Sequence, residues 1–438
     1  MSKLTIENFG PIKKVELDLK KYNIFIGRQG SGKSCILKIA AFCKWVEKIG
    51  ISLEIFDYYK KGISDSEFTN KYLLDFYKLN DFVRSSSRII YQSQNISINL
   101  SFDKEDIIKL EGGTTLKFQG IFERVSYIPA ERCLASAIPN LMSLRIKQNT
   151  CTYKYLEDWE DAHKSYKKNN QFSIFDTGAS FYYDDDLNAD FLSIKKDGYE
   201  NNIRFENAAS GFQSIIPICI LTQYYLNRNI TLSIGEKQRT ELIKKLTDTY
   251  DKQKDKSQII NDFTNLYDSY TNKIVKGKEK QDDLTMYLLL SDLVSVLSDN
   301  NNSFKQINSS LFLEEPEANI YPETQYELVK WLVASINNGN NNSIFIATHS
   351  PYILTSFNNL IQAGNSAMSN PDKRNEINAV METETFVNFD EIGVFEVKDG
   401  TIEDIKDYDL HLIDANSIDG VSDRIQAQFS KLLDYETN

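Results

Sequence analysis

Near the N-terminus, Gly27-Arg28-Gln29-Gly30-Ser31-Gly32-Lys33-Ser34 combines three glycines with a lysine and a serine. Glycines let the backbone turn so that several N–H groups face one concavity. A helix starting at that point adds the partial positive charge of its N-terminus. Such a loop suits phosphate: Lys33 is spaced to reach the β- and γ-phosphates of ATP, and the Ser34 hydroxyl to bind Mg²⁺. The flanks support this. Asn23–Ile26 is a short apolar run of strand formers, and Ile36, Leu37, Ala40, Trp45 and Val46 follow at roughly helical spacing. Strand, GxxxxGK[ST] and helix form the context in which the motif is specific.

Three further groups have the residue types such a loop needs. Ser210-Gly211-Phe212-Gln213 precedes an apolar run, with Ser210 placed to cap a helix. By itself SGxQ is most often a turn. Ser310–Leu313 is apolar and ends in Glu314 and Glu315, at the strand edge where α/β sheets bind ligands. Two acids can also simply end a strand. Ser343–Ala347 is a second apolar run, followed by Thr348-His349-Ser350-Pro351. A lone histidine is usually a polar surface residue. His163 and His411 lie in no such strand-end context and are read as structural. Tyr127-Ile128-Pro129-Ala130-Glu131-Arg132 ends another apolar run, and its Glu131 and Arg132 read equally as functional groups or as a buried ion pair.

LTIENFGPIKKVELDL followed by the phosphate loop resembles the start of the RecF/SMC/OLD-like branch of ABC-type ATPases. That branch usually has Asn where Gln29 stands. The resemblance gives the other motifs roles. Ser210, Gly211 and Gln213 become a signature that meets the γ-phosphate on a partner subunit. Glu314 becomes the Walker B ligand of Mg²⁺, Glu315 the residue that orients or deprotonates the attacking water, and His349 a γ-phosphate sensor. The run Glu315-Pro316-Glu317-Ala318-Asn319-Ile320-Tyr321-Pro322 matches the branch except at Asn319 and Tyr321, where it usually has His. The implied fold is α/β, an ABC-type ATPase head with a mixed sheet, an antiparallel β arm and an inserted helical subdomain. The implied assembly is a head-to-tail homodimer or higher homo-oligomer around ATP and Mg²⁺. Similar ATPases occur in anti-phage modules of Septu-like, PARIS-like and retron-associated type, where a neighbouring gene supplies an effector nuclease. A RecF-like DNA-repair or DNA-end-binding role is the alternative, and a nucleotide-gated scaffold with negligible turnover a third.

These motifs partition the chain into an N-terminal lobe (1–235), a helical insertion (236–305) and a C-terminal lobe (306–438). Residues 50–85 read as helical. Ile89–Phe102 and Thr115–Val125 read as arm strands, and 140–185 shows no clear period. In the insertion, Ile259, Phe263, Leu266, Tyr267, Tyr270 and Ile274 form a helical stripe. Val394–Val397 and Thr401–Ile405 read as a strand pair joined at Asp399-Gly400, with Ser417 capping a last helix. Asp407, Asp409 and Asp414 do not form a Toprim-type acidic cluster, so no fused nuclease is expected.

Composition sets the outer bounds. With 438 residues the chain can bury a large core, and its 41% hydrophobic and 26% charged content is that of an ordinary globular protein. A net charge of −12 argues against binding nucleic acid with the whole surface, leaving a local patch or a complex as the route. No apolar run reaches the ~18 residues that span a bilayer, and MSKLTIENFG lacks the features of a signal peptide. A cytoplasmic protein without membrane contact is expected. The five cysteines are scattered without a CxxC pair, and read as small buried hydrophobes.

Overall fold

The computed structural model describes residues 2–51, 64–103, 107–110, 121–137, 149–196, 198–227, 306–338, 341–414, 425–433 and 435. The strands of the three larger sheets are β1 (Ser2–Phe9), β2 (Ile12–Leu19), β3 (Tyr22–Ile26), β4 (Arg88–Gln92), β5 (Ile96–Ser101), β6 (Ile107–Leu110), β7 (Ile121–Ile128), β8 (Phe172–Ile174), β9 (Ala179–Asp184), β10 (Ala189–Lys196), β11 (Tyr199–Arg204), β12 (Gln306–Glu314), β13 (Ser343–Thr348), β14 (Ile392–Lys398) and β15 (Thr401–Asp404). Five helices bear on the site: α1 (Lys33–Ile51), α2 (Cys151–Ala162), α3 (Ser210–Asn227), α4 (Pro322–Asn337) and α5 (Pro351–Ser369).

A mixed six-stranded sheet, in the order β15-β14-β3-β13-β12-β7, positions the site. Within it β12, β13, β3 and β14 run parallel. Their apolar runs follow from that place, because a parallel sheet covered on both faces has no wet side to alternate with. Tyr22, Ile24 and Phe25 of β3 have no exposed surface, and neither do Phe312 and Phe345 of the next two strands, whose rings stack at 4.3 Å. Burying side chains of this size stabilises by roughly 1.5–3 kcal/mol each. The fold class is the one expected, α/β with a mixed sheet and an antiparallel arm.

The arm is a five-stranded antiparallel sheet, β2-β1-β4-β5-β6. Burial alternates along β2 and β5, as it does when one face packs and the other is wet. One expectation is corrected. Residues 115–120 lie outside the described residues, and β7 belongs to the central sheet beside β12 rather than to the arm. The arm's last strand is β6 instead. A further four-stranded antiparallel sheet, β11-β10-β9-β8, fills part of the stretch that showed no clear period. Its β9–β10 turn is held by Asp184, whose Oδ1 accepts from the N–H groups of Asp186 and Leu187 at 3.0 and 3.1 Å.

Of the expected 50–85 helix, residues 52–63 lie outside the described residues. Asp65–Thr69 is helical behind a capping box of Ser64 and Glu67. The expected β14–β15 pair forms a hairpin, with Asp399 (φ 52°) and Gly400 (φ 85°) supplying the two left-handed positions of its turn. The insertion over 236–305 and the Ser417 cap lie outside the described residues, while 425–433 is helical. Cys35, Cys43, Cys151 and Cys219 are buried and Cys133 is half-buried; all five are free.

Candidate active site

Strand register assembles the site. Ile26 of β3 pairs with Thr348 of β13, and Ala347 of β13 with Glu314 of β12. The residues that follow these three strands therefore leave the sheet at one level: Gly27, His349 and Glu315. Segments far apart in sequence thus meet at one carboxyl edge, where open α/β sheets bind ligands.

The phosphate loop leads straight into α1, which begins at Lys33. Gly27 (φ 153°) and Gly32 (φ 112°) adopt conformations that L side chains rarely take. At Gly27 space forbids a side chain as well, since a Cβ would stand 2.4 Å from the Val397 carbonyl oxygen of β14. Arg28, Gln29, Gly30 and Ser34 are exposed.

Lys33 is 5% exposed, and its ammonium donates to the Gly27 and Arg28 carbonyls at 2.7 and 2.9 Å. The third neighbour of Nζ is His349 Nδ1, at 3.4 Å. Burial pulls this ammonium down to about 8, against the opposing pull of Glu315 and Glu317.

His349 is fixed by its surroundings. Its backbone N–H donates to Glu317 Oε1 at 2.6 Å, and its Nε2 stands 3.4 Å from Glu315 Oε1. Directly after it, Ser350 caps α5 by accepting from the Tyr352 N–H at 3.2 Å, with Pro351 in the first turn. The Ser350 hydroxyl also donates to Gln325 Oε1 at 2.6 Å, tying the histidine's base to α4.

Glu315 has φ 44°, a left-handed conformation uncommon for a non-glycine residue. Its N–H donates to the Ala347 carbonyl at 2.7 Å. Glu314 is 6% exposed, and its Oε2 accepts from the Ala130 N–H at 3.3 Å. Among the described residues, Glu314 Oε1, Glu317 Oε2 and Ser31 Oγ at this edge are buried without a well-formed hydrogen bond, as is the Tyr127 hydroxyl beside Glu314. Buried polar atoms are normally satisfied. Two orphaned carboxylate oxygens and a hydroxyl beside a phosphate loop fit a cation and a phosphate as the missing partners.

Arg132 is neither in an ion pair with Glu131 nor at the surface. The guanidinium is fully buried, and burial holds it below its usual value. It donates from Nε to the Ser214 carbonyl at 3.0 Å and from Nη1 to the Glu314 carbonyl at 2.9 Å. Its Nη2 donates to the Glu315 and Pro316 carbonyls at 2.7 and 3.4 Å. Sequence reasoning singled out the segment but missed this use, which spacing does not encode.

Ser210 is exposed at the start of α3, and among the described residues no hydrogen bond joins Ser210 or Gly211 to the loop. Gln213 Nε2 donates to the Phe205 and Glu206 carbonyls at 3.3 and 2.9 Å, so it braces the approach to α3. Gly211 passes close to the turn after Glu315, where an added Cβ would stand 3.1 Å from the Asn319 carbonyl oxygen. Asn319 Nδ2 donates to Ser214 Oγ at 3.2 Å, and Tyr321 is 73% exposed.

A family model described as an AAA ATPase domain matches residues 1–354. The chain belongs to this family. The match takes in all the site residues above, so this AAA ATPase domain runs from the arm to the start of α5. No curated protein matches the chain. Among solved structures, the SMC head domain from Thermotoga maritima is 12% identical with a TM-score of 0.30, covering 81% of this chain and 90% of that one. The Smc head domain with an extended coiled coil bound to the C-terminal domain of ScpA, derived from Pyrococcus furiosus, is 11% identical with a TM-score of 0.33, covering 92% and 96%. The recombination mediator protein RecF-ATPrS of the RecFOR pathway is 10% identical with a TM-score of 0.31, covering 92% and 97%. Likeness this distant fixes no function. Among the described residues no helix is long and apolar enough to cross a membrane.

Proposed function

We propose that the chain binds and hydrolyses ATP with Mg²⁺ between two head-to-tail copies, and that this cycle switches a separately encoded effector nuclease in an anti-phage module. One observation carries the hydrolytic part: the register that brings Lys33, Glu314, Glu315 and His349 to one sheet edge. Gly27–Ser34 would hold the phosphates. Ser34 and Glu314 would hold Mg²⁺, which supplies neutralisation of charge on the phosphate oxygens. Glu315 would take a proton from the attacking water, or orient it. Phosphoryl transfer asks little covalent chemistry of a protein, so positioning of this kind is most of the catalysis.

Lys33 already has three neighbours, the carbonyls of residues 27 and 28 and the imidazole of His349. An ammonium has three donors. Phosphate therefore has to displace at least one of them, and the longest contact, to His349, is the weakest held. Entry of ATP would release His349 toward the γ-phosphate, which fits a residue that senses hydrolysis.

Exposure of Ser210, without a bond to the loop of its own chain, supports a signature that acts on a second copy. The effector nuclease rests on the family resemblance of the sequence. A RecF-like role in DNA repair would use the same site. Light scattering of the Glu315→Gln variant with ATP tests the assembly: dimers are expected, and monomers alone would refute it. Purification together with the neighbouring gene products separates the biological roles, a nuclease supporting the switch and DNA alone supporting repair.

A further inference from the structure

Arg132 makes an unusual set of bonds for a buried cation. Among the described residues none of its contacts is an ion pair with a carboxylate, and its four hydrogen bonds all go to main-chain carbonyls. Three belong to consecutive residues at the end of β12, Glu314, Glu315 and Pro316. The fourth is Ser214, in the first turn of α3. A planar guanidinium with five fixed donors can span such a set, whereas a lysine ammonium is a single point with three.

We infer that Arg132 is a positioning residue that clamps the Walker B turn to the signature helix, so that a shift of α3 is passed to Glu315. The inference rests on the reading of Glu315 as the water-directing group. Five observations support it. The Glu315 backbone sits at φ 44°, and such conformations persist only when their surroundings hold them. Nη2 at 2.7 Å and the Ala347 carbonyl at 2.7 Å grip that residue from both sides of its main chain. The clamp is itself anchored, since the Tyr155 hydroxyl of α2 donates to the Arg132 carbonyl at 2.6 Å. The preceding residues serve the same turn, with Ala130 N–H held by Glu314 Oε2. Independent contacts, from Asn319 Nδ2 to Ser214 Oγ and from Gly211 against the Asn319 carbonyl, show that the helix start and the turn are already packed together. The arginine makes that packing stiff, so Ser210 and Glu315 report to each other through one side chain.

The test uses full-length protein carrying Arg132→Lys, which keeps the charge and cannot reach all four carbonyls. Steady-state hydrolysis is expected to lose at least tenfold in kcat, with KM within about threefold of the parent. Hydrogen exchange at the backbone is expected to rise together in 210–216 and 314–320, and to stay unchanged in 34–45. Unchanged kcat, or faster exchange in only one of the two segments, would overturn the inference. Should Arg132→Lys fail to fold, Tyr155→Phe loosens the anchor and leaves the guanidinium in place. It is expected to give the same paired exchange at smaller amplitude, and exchange identical to the parent would count against the clamp. If the parent protein hydrolyses no ATP, the proposed function fails, while the exchange result still judges Arg132.

Discussion

Lys33 and His349 face each other across the site, Nζ to Nδ1, at 3.4 Å. On its other side the imidazole meets Glu315 Oε1 through Nε2, also at 3.4 Å. An ammonium only donates and a carboxylate only accepts, so the two ring nitrogens face a donor on one side and an acceptor on the other. One ring thus stands between the lysine of the glycine-rich loop and the proposed base.

The titration of Lys33 gives the first prediction. Its ammonium is held at about 8 in the free protein, below its ordinary value, because it is buried. Phosphate favours the charged form and raises it. Below about pH 8 the charge is present before ATP arrives and affinity is flat. Above that, binding must take up a proton, and Kd rises by up to about tenfold per pH unit. Titration with a fluorescent ATP analogue from pH 6.5 to 9.5 reads this, and a flat profile throughout would contradict it.

Glu315→Gln removes the proton acceptor and keeps the shape. We expect kcat to fall by roughly 10²–10⁴, the usual worth of a general base, with the Kd for ATP within threefold. Single-turnover assays with labelled ATP separate the two quantities. Hydrolysis at the parent rate would strip Glu315 of its role.

Ser210→Glu places a like charge where the partner's γ-phosphate is expected. Each chain alone, Ser210→Glu or Lys33→Ala, should be nearly inactive. Mixed, they should regain about a quarter to a half of the parent rate, because a mixed dimer keeps one site with an intact loop and an intact signature. No recovery on mixing would place both motifs in the same subunit's site.

Away from the site, His163 offers a stability test. Its ring is buried, stacks on Trp159 and meets Asp190 through Nδ1 at 2.7 Å. Burial alone would lower this imidazole, but its bonds to Asp190 and Glu160 outweigh that and raise it above the ordinary value. A raised pKa means stability that is full below the unfolded value near 6.5 and lost as pH climbs through the folded one. Asp190→Asn should therefore cost roughly 1–3 kcal/mol at pH 6 and much less at pH 9. Thermal melts at the two pH values measure it, and equal losses would exclude the ion pair as the cause.

The residues of the candidate site stand out in the sequence more than the packing does. Gly27–Ser34, Glu314-Glu315 and His349 declare themselves because each ends or follows a short apolar strand, a local pattern. What joins what is decided at a distance. β7 looks like an arm strand by its residues, yet it lies along β12, because strand partners are chosen by long-range fit rather than by period. Arg132 stayed ambiguous for the same reason: its partners are carbonyls, which every residue has, and only the fold brings four of them within reach. The antiparallel sheet over β8–β11 leaves a weak pattern in the sequence because its strands are short and its turns polar, as at Asp184.

The central sheet also sets when the protein can become active in its own making. β3 leads into the phosphate loop and is complete by residue 26, yet its sheet neighbours are β13, ending at Thr348, and β14, ending at Lys398. The loop even rests on the Val397 carbonyl. A nascent chain emerging from the ribosome therefore carries its phosphate motif long before the strand beneath it has either of its sheet neighbours.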